Sequence, residues 1–168
     1  MGTLGFIALI VIAGLFIFVI QSITAPLMRK ANRGLLNKKQ YQEQESVTRR
    51  KTSFAAKATL EEIQQQLSRY VAAKEKVGVV NDLCIASRSK NRITYIYGGK
   101  FATIFTAEIH LAEGPDAAEA EFFFRSWQEQ DGVADSDVLD EMKGLLESVT
   151  MAMRAADPDV IIHTSSLA

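Results

Sequence analysis

Two residues capable of acid–base chemistry, Glu108 and His110, lie two positions apart in a segment that alternates between apolar and polar residues. Side chains at positions i and i+2 of a β-strand point to the same face, so these two are neighbours. A carboxylate beside an imidazole could transfer protons as a general acid–base pair. A solvated ion pair explains the same spacing without a substrate, and we expect the ion pair.

The remaining reactive side chains are isolated in the sequence. Cys84 is the single cysteine, so it cannot form an intramolecular disulfide, and we expect a small buried apolar residue. His163 lies near the C-terminus, and two separated histidines do not make a typical zinc site. The sequence has no P-loop, no Gly-x-Gly-x-x-Gly, no serine elbow and no Cys-x-x-Cys.

Three aspartates, Asp131, Asp135 and Asp137, lie close together in the sequence. They do not have the spacing of a calcium loop, and the closing glutamate of such a loop is missing. We expect Asp135, Ser136 or Asp137 to cap the helix that begins there. The sequence therefore predicts no catalytic residues, no metal and no cofactor, and we expect that the protein is not an enzyme.

The first 28 residues resemble a membrane anchor. Of the seventeen residues in 4–20, thirteen are Leu, Ile, Val or Phe, and no charged side chain precedes Arg29. A helix over 4–23 would be about 30 Å long, the thickness of the bilayer core. A cleaved signal peptide is the competing interpretation, but the basic n-region and small-x-small cleavage site are missing. We predict a transmembrane helix.

The charges that follow predict the direction of this anchor. Residues 29–51 carry eight basic and two acidic side chains, whereas residues from 52 onward carry eleven basic and eighteen acidic ones. The positive-inside rule places the N-terminus outside the inner (plasma) membrane and the domain in the cytoplasm. The acidic domain argues against nucleic-acid binding. The basic residues predicted to form a collar on anionic lipids are Arg29, Lys30, Arg33, Lys38 and Lys39.

Helix and strand signals follow the basic segment. Thr59 and Glu62 form a capping box, and apolar residues recur at helical spacing to about residue 74. We interpret 52–58 as a strand, with an extension of a connector helix as the alternative. Four β segments are predicted over 77–86, 92–97, 101–111 and 118–128, followed by a helix with an apolar stripe from 138 to 153. Residues 160–163 could add a short strand.

These elements predict an α+β fold in the order β-α-β-β-β-β-α. One transmembrane helix (1–28) and a basic connector (29–51) precede a domain (52–168), which has a 4–5-stranded antiparallel sheet and two helices on one face. The element order resembles the fold of TATA-binding-protein repeats and helix-grip ligand-binding domains. This resemblance rests on element order alone and does not transfer a function.

Alternation divides the central strands into two faces. We assign one face to the core beneath the helices: Phe101, Thr103, Phe105, Ala107, Ile109, Leu111, Ala120, Phe122 and Phe124.

The opposite face mixes charged and large apolar residues, which is typical of an interaction surface. Either a protein partner or a second copy docks there, or the chain's own connector or ends cover it. The residues predicted to dock a partner are Ile104, Phe123, Arg125 and Trp127.

The first hypothesis for function is a non-catalytic accessory subunit or assembly factor of a bacterial-type membrane complex, with respiratory assemblies as plausible hosts. Its expected partners are membrane lipids and integral membrane subunits, with a homo-oligomer as a further option. The alternative is a membrane-tethered ligand-binding or sensory domain of helix-grip type, with a pocket lined by Phe and Met between the second helix and the sheet. An enzyme ranks third.

Overall fold

A computed structural model describes residues 38–130 and 132–167 of the protein. These residues form three helices: α1 (Lys38–Thr48), α2 (Leu60–Tyr70) and α3 (Ser136–Ala156). They also form six strands: β1 (Arg50–Ala56), β2 (Asp82–Arg88), β3 (Arg92–Gly99), β4 (Ala102–Glu113), β5 (Ala118–Trp127) and β6 (Ile161–Ser166).

The six strands form one antiparallel sheet in the order β2-β3-β4-β5-β1-β6. Strands β2 to β5 are hairpin-linked neighbours, as the turn signals predict. Strand β1 lies between β5 and β6, and its Phe54 is opposite Ala120 on one side and Ile162 on the other. The first and last strands of the described chain are therefore neighbours in the sheet.

Helices α2 and α3 pack on one face of the sheet because each carries an apolar stripe. The stripe of α3 includes Leu139, Met142 and Val149, and that of α2 includes Ile63 and Leu67, all fully buried. These residues contact the apolar side chains of β3, β4 and β5 in one core.

The capping box at the start of α2 is confirmed. The hydroxyl of Thr59 accepts a hydrogen bond from the amide of Glu62, and the Glu62 carboxylate accepts one from the Thr59 amide. The capping role predicted for Asp135 is also confirmed, because its carboxylate accepts from the amide of Asp137 at 3.3 Å.

Helix α1 packs on the domain mainly through a polar residue. The side chain of Gln44 is 2% exposed; its amide nitrogen donates to Glu129 at 2.7 Å and its oxygen accepts from the Ala134 amide at 2.6 Å. Val47, one turn further along, joins the core cluster. The second half of the predicted connector is thus part of the packed domain.

The predicted fold class is wrong in its number of strands and helices. The structure has six strands instead of four or five, and three helices instead of two in the domain. The additional strand, β6, was only an optional short segment in the sequence, but it pairs with β1 along its whole length. Helix α1 lies within the predicted connector (29–51), and it was not assigned to the domain because its buried residues, Gln44, Val47 and Thr48, do not make an apolar stripe. The strand interpretation of 52–58 is correct, since β1 covers most of it.

The membrane assignment is also corrected. The predicted anchor, residues 1–28, lies outside the described residues. Among residues 38–130 and 132–167, no helix combines the length and apolar character needed to cross a bilayer. The longest described helix, α3, has 21 residues and carries charges such as Asp140, Lys143 and Glu147 along its length.

Several sequence-based predictions depended on that anchor. They are the single-pass membrane location, the orientation with an outside N-terminus and a cytoplasmic domain, and the membrane-complex and respiratory-chain roles. The structure supports an α+β domain with no spanning helix in its described part. We therefore withdraw these assignments.

One core side chain leaves a polar atom without a partner. Tyr95 on β3 is fully buried, and its hydroxyl makes no hydrogen bond in the described part of the chain. Burial raises the pKa of Tyr95 to about 12, and the charge of Arg88 acts in the opposite direction. An unpaired buried hydroxyl destabilises a fold, because it gives up its hydrogen bonds to water.

We predict that Tyr95→Phe raises the free energy of unfolding by about 1 kcal/mol, because it removes the unpaired hydroxyl and keeps the ring. Urea denaturation at neutral pH measures the effect. Tyr70→Phe is the matched control, since Tyr70 is exposed, and it should leave stability unchanged. A loss of stability in Tyr95→Phe would show that the hydroxyl has a partner.

Candidate functional site

The sheet face directed away from the helices is the strongest candidate for a functional surface, and we call it the outer face. Phe123 on β5 lies at its centre, between Lys51 on β1 and Glu108 on β4. The neighbouring row places Glu121 between Ser53 and His110. The outer face consists, in this central part, of Lys51, Ser53, Glu108, His110, Glu121, Phe123 and Arg125.

Glu108 is the most enclosed charged residue of the outer face, with 4% exposure. One carboxylate oxygen accepts a hydrogen bond from Arg125 Nη1 at 2.8 Å, and the other contacts His110 Nε2 at 2.8 Å. Because an ionised carboxylate only accepts hydrogen bonds, His110 must carry its proton on Nε2. Glu108 and His110 are hydrogen-bonded neighbours, as their spacing predicts, but the carboxylate is buried instead of solvated and its ion pair is with Arg125.

The electrostatics of Glu108 favour a structural role over proton transfer. Burial by itself would raise the pKa of Glu108, but the hydrogen bonds and charges of His110 and Arg125 outweigh it and hold the pKa below its usual value. The carboxylate is therefore ionised at neutral pH, and both of its oxygens are engaged. It orients Arg125 and His110 on the outer face.

Phe123 is half-buried and surrounded by charged side chains. The His110 ring meets its ring edge-to-face, with centroids 5.1 Å apart at an angle of 79°. On the other side, Lys51 Nζ pairs with Glu121 at 2.7 Å. An apolar centre inside a polar rim is the usual composition of a protein-binding surface.

A β-bulge in β5 separates Arg125 from Trp127. Thr106 is opposite Ser126 while the next residue, Ala107, is opposite Phe124, so Arg125 is the extra residue. Beyond the bulge the alternation is reversed, which puts Trp127 on the same face as the buried Phe105. Trp127 packs against the core, and the expectation that it lies on the outer face is wrong.

A second bulge displaces Ile104 on β4. Tyr97 is opposite Phe105 and Gly98 is opposite Thr103, so Ile104 is the extra residue. Ile104 lines a small cleft of about 210 Å³ together with Val138 at the start of α3.

The structure therefore brings Phe123 and Arg125 together on the outer face, and places Ile104 and Trp127 elsewhere. The docking role of these four residues stays a prediction.

The predicted core face is confirmed from Phe105 to Leu111 and on β5, but not at its start. Phe101 lies in the turn before β4 and is 85% exposed, and Thr103 is exposed as well. The strand alternation that assigned them to the core is interrupted at Ile104.

The other sequence-derived candidates do not assemble into a site. Cys84 is buried, and its thiol contacts the carbonyl of Lys76 at 3.4 Å. His163 on β6 is opposite Ser53 at the side of the outer face. Within residues 38–130 and 132–167, no three His, Cys, Asp or Glu side chains are grouped to hold a metal ion.

The predicted lipid collar is only partly visible. Arg29, Lys30 and Arg33 lie outside the described residues, while Lys38 and Lys39 are exposed in the first turn of α1. Their role toward lipid is untested, and we do not include it in the proposed function.

No family model matches the chain, and no curated protein matches it significantly. Solved structures give weak likenesses. The Aha1 dimer from Colwellia psychrerythraea is 12% identical with a TM-score of 0.45, covering 64% of this chain and 94% of that one.

Two other solved structures show a comparable likeness. CalU16 from Micromonospora echinospora is 12% identical with a TM-score of 0.36, covering 64% of this chain and 85% of that one. A conserved protein from Geobacillus kaustophilus is 12% identical with a TM-score of 0.39, covering 68% of this chain and 99% of that one. We draw no functional argument from likenesses at this level.

We predict that Glu108→Gln lowers the free energy of unfolding at pH 7 by about 1–2 kcal/mol, because it weakens two charge-assisted hydrogen bonds. The lowered pKa of Glu108 sets the pH dependence. Its stabilisation is complete above the carboxyl's ordinary pKa of 4.5 and is lost as the pH falls through the folded-state pKa. The difference in the free energy of unfolding between the wild type and Glu108→Gln should therefore shrink as the pH falls.

Urea titrations from pH 7 down to acid check this dependence. Glu119→Gln, at an exposed position of the neighbouring strand β5, serves as the matched control and should track the wild type. A difference between wild type and Glu108→Gln that stays constant over the whole range would contradict the ion-pair assignment.

Proposed function

We propose that the protein is a non-catalytic accessory or assembly factor that binds a partner protein on the outer face of its sheet. The observation that supports this most directly is Phe123, a half-buried aromatic ring at the centre of that face, inside a rim of ion pairs. Rigid aromatic side chains ringed by polar groups are where binding energy concentrates in protein interfaces.

The arrangement of layers supports a binding role for this face. Helices α2 and α3 share the opposite face, and α1 joins them there through Val47 and its hydrogen bonds to Glu129 and Ala134. The sheet has six strands spaced about 4.8 Å apart, and its central strand β5 has ten residues. The area of its outer face is therefore roughly 800 Å². One partner of a standard interface contributes about that area.

The charges of the face indicate the partner's chemistry. The guanidinium of Arg125 is held at one end by Glu108, yet its side chain is 65% exposed. The matching partner would place an apolar group on the ring of Phe123 and a carboxylate against the guanidinium of Arg125. Residues 38–168, which include α1 and β1, carry sixteen basic and twenty acidic side chains, so a net charge of −4 opposes the association of two copies. We therefore favour a different protein over a second copy.

We predict that Phe123→Ser weakens partner binding by about 30-fold, the effect of losing a central aromatic contact worth about 2 kcal/mol. The full-length protein is used to capture a stoichiometric partner from cells that express it naturally, and the dissociation constant is then measured with the purified partner. Met151→Ser is the matched control, because Met151 is an exposed apolar residue on α3.

Three outcomes would contradict the proposal. The first is recovery of the protein alone. The second is equal loss of binding in Phe123→Ser and Met151→Ser. The third is a homodimer in light scattering that Phe123→Ser converts to monomer, which would assign the face to a second copy.

A ligand-binding domain of helix-grip type is the second candidate, and the unpaired hydroxyl of Tyr95 favours it. A ligand reaching the interior could supply the missing hydrogen bond. The side chains that would line such a pocket, including Phe105, Phe122, Met142 and Met153, are at most 2% exposed and belong to one packed cluster. For this reason we rank it below protein binding. An enzyme stays third, because no observation favours it.

A further inference from the structure

A polar cleft of about 700 Å³ lies on the helix side of the sheet edge, between α1 and β6. Its lining is rich in cationic and hydroxyl groups: Arg49, Arg50, Ser46, Thr164, Ser165 and Ser166. These residues belong to the end of α1, the start of β1 and the last strand of the sheet. The cleft is therefore created by α1 and β6, the two elements that sequence patterns did not predict firmly.

The charge of the cleft rests mainly on Arg50. The neighbouring Arg49 pairs with Glu45, which also lines the cleft, at 3.1 Å. Arg50 makes no ion pair with any residue that the structure describes. A guanidinium presents several donors in one plane, and this geometry suits phosphate and carboxylate oxygens. The hydroxyl of Thr164 adds a donor on the same face of the sheet.

A smaller cavity of about 100 Å³, which we call the inner cavity, shares three lining residues with this cleft. Ser46, Arg50 and Thr164 line both spaces, so they mark the junction. Thr52 adds a fourth polar residue, and the other half of the lining is apolar: Val47, Phe122, Phe124 and Leu146. The site thus offers a cation at its entrance and aromatic and aliphatic carbon behind it.

We propose that this cleft binds a small amphipathic anion, with a phosphate or carboxylate head group at Arg50 and Thr164 and a short alkyl group against the apolar residues of the inner cavity. The two parts of the site are adjacent, so one molecule can occupy both. Burying the alkyl group adds affinity that the head group alone does not have. The cleft lies on the other face of the sheet from Phe123, and its occupancy does not depend on the proposed partner.

Titration calorimetry of the full-length protein with n-butyl phosphate tests the proposal, with inorganic phosphate, n-butanoate and n-butanol as comparison probes. We expect n-butyl phosphate to bind roughly 30-fold more tightly than inorganic phosphate, from the buried alkyl carbons. Comparing n-butyl phosphate with n-butanoate identifies the preferred head group. The site is supported if n-butyl phosphate or n-butanoate binds more tightly than inorganic phosphate and also more tightly than n-butanol.

Variants separate the two halves of the site. Arg50→Gln should weaken n-butyl phosphate binding by about ten-fold or more through the lost charge-assisted hydrogen bonds. Leu146→Phe fills the inner cavity and should remove the advantage of n-butyl phosphate over inorganic phosphate. Arg88→Gln, at an exposed arginine of β2, is the matched control and should bind as the wild type does. Circular dichroism verifies folding, and Arg50→Lys and Thr164→Val replace any variant that does not fold.

The proposal is overturned if neither n-butyl phosphate nor n-butanoate binds better than inorganic phosphate, or if n-butanol binds as tightly as the better of the two. It is also overturned if Arg50→Gln has no effect, or if Arg88→Gln weakens binding as much.

Discussion

The burial of the α3 stripe against one face of the sheet is the constraint on which the rest of the structure depends. Leu139, Met142 and Val149 exclude water only if apolar side chains of β4 and β5 face them. This requirement decides which residues of every strand turn inward, and it collects the described helices on a single side. The outer face is what remains, and its mixture of charge and aromatic surface follows from its exclusion from the core.

Two bulges then modify the faces that alternation would produce. Each inserts one residue into a central strand, and a shift by one residue reverses the direction of the side chains beyond it. In β5 the bulge leaves Arg125 beside Glu108 and turns Trp127 toward the core. The candidate docking surface is thus smaller and more polar than an uninterrupted strand would make it. Phe123 is its principal apolar group.

Buried polar contacts hold this arrangement in place at two positions. Glu108 can be enclosed on the outer face because Arg125 and His110 hydrogen-bond both of its oxygens. Gln44 can be enclosed under α1 because both ends of its amide are bonded. The first contact orients the groups that a partner protein would meet. The second fixes α1, and with it one wall of the polar cleft at β6.

The sequence by itself determined the features that depend on near neighbours along the chain. These are the capping box at Thr59 and Glu62, the strands that become β3 to β5, the apolar stripe of α3, and the pairing of Glu108 with His110. Each is encoded by residues a few positions apart, where helix and strand geometry fixes which side chains meet.

Only the tertiary structure decided the features that depend on distant partners. Strand β6 is a strand because β1 pairs with it, and α1 is held by Glu129 and Ala134, about ninety positions away along the chain. The bulges at Ile104 and Arg125 come from the register between strands, and the burial of Glu108 comes from Arg125 on the neighbouring strand. Spacing within one segment does not encode these relations, since they arise when separate segments compete to bury apolar area and satisfy polar groups.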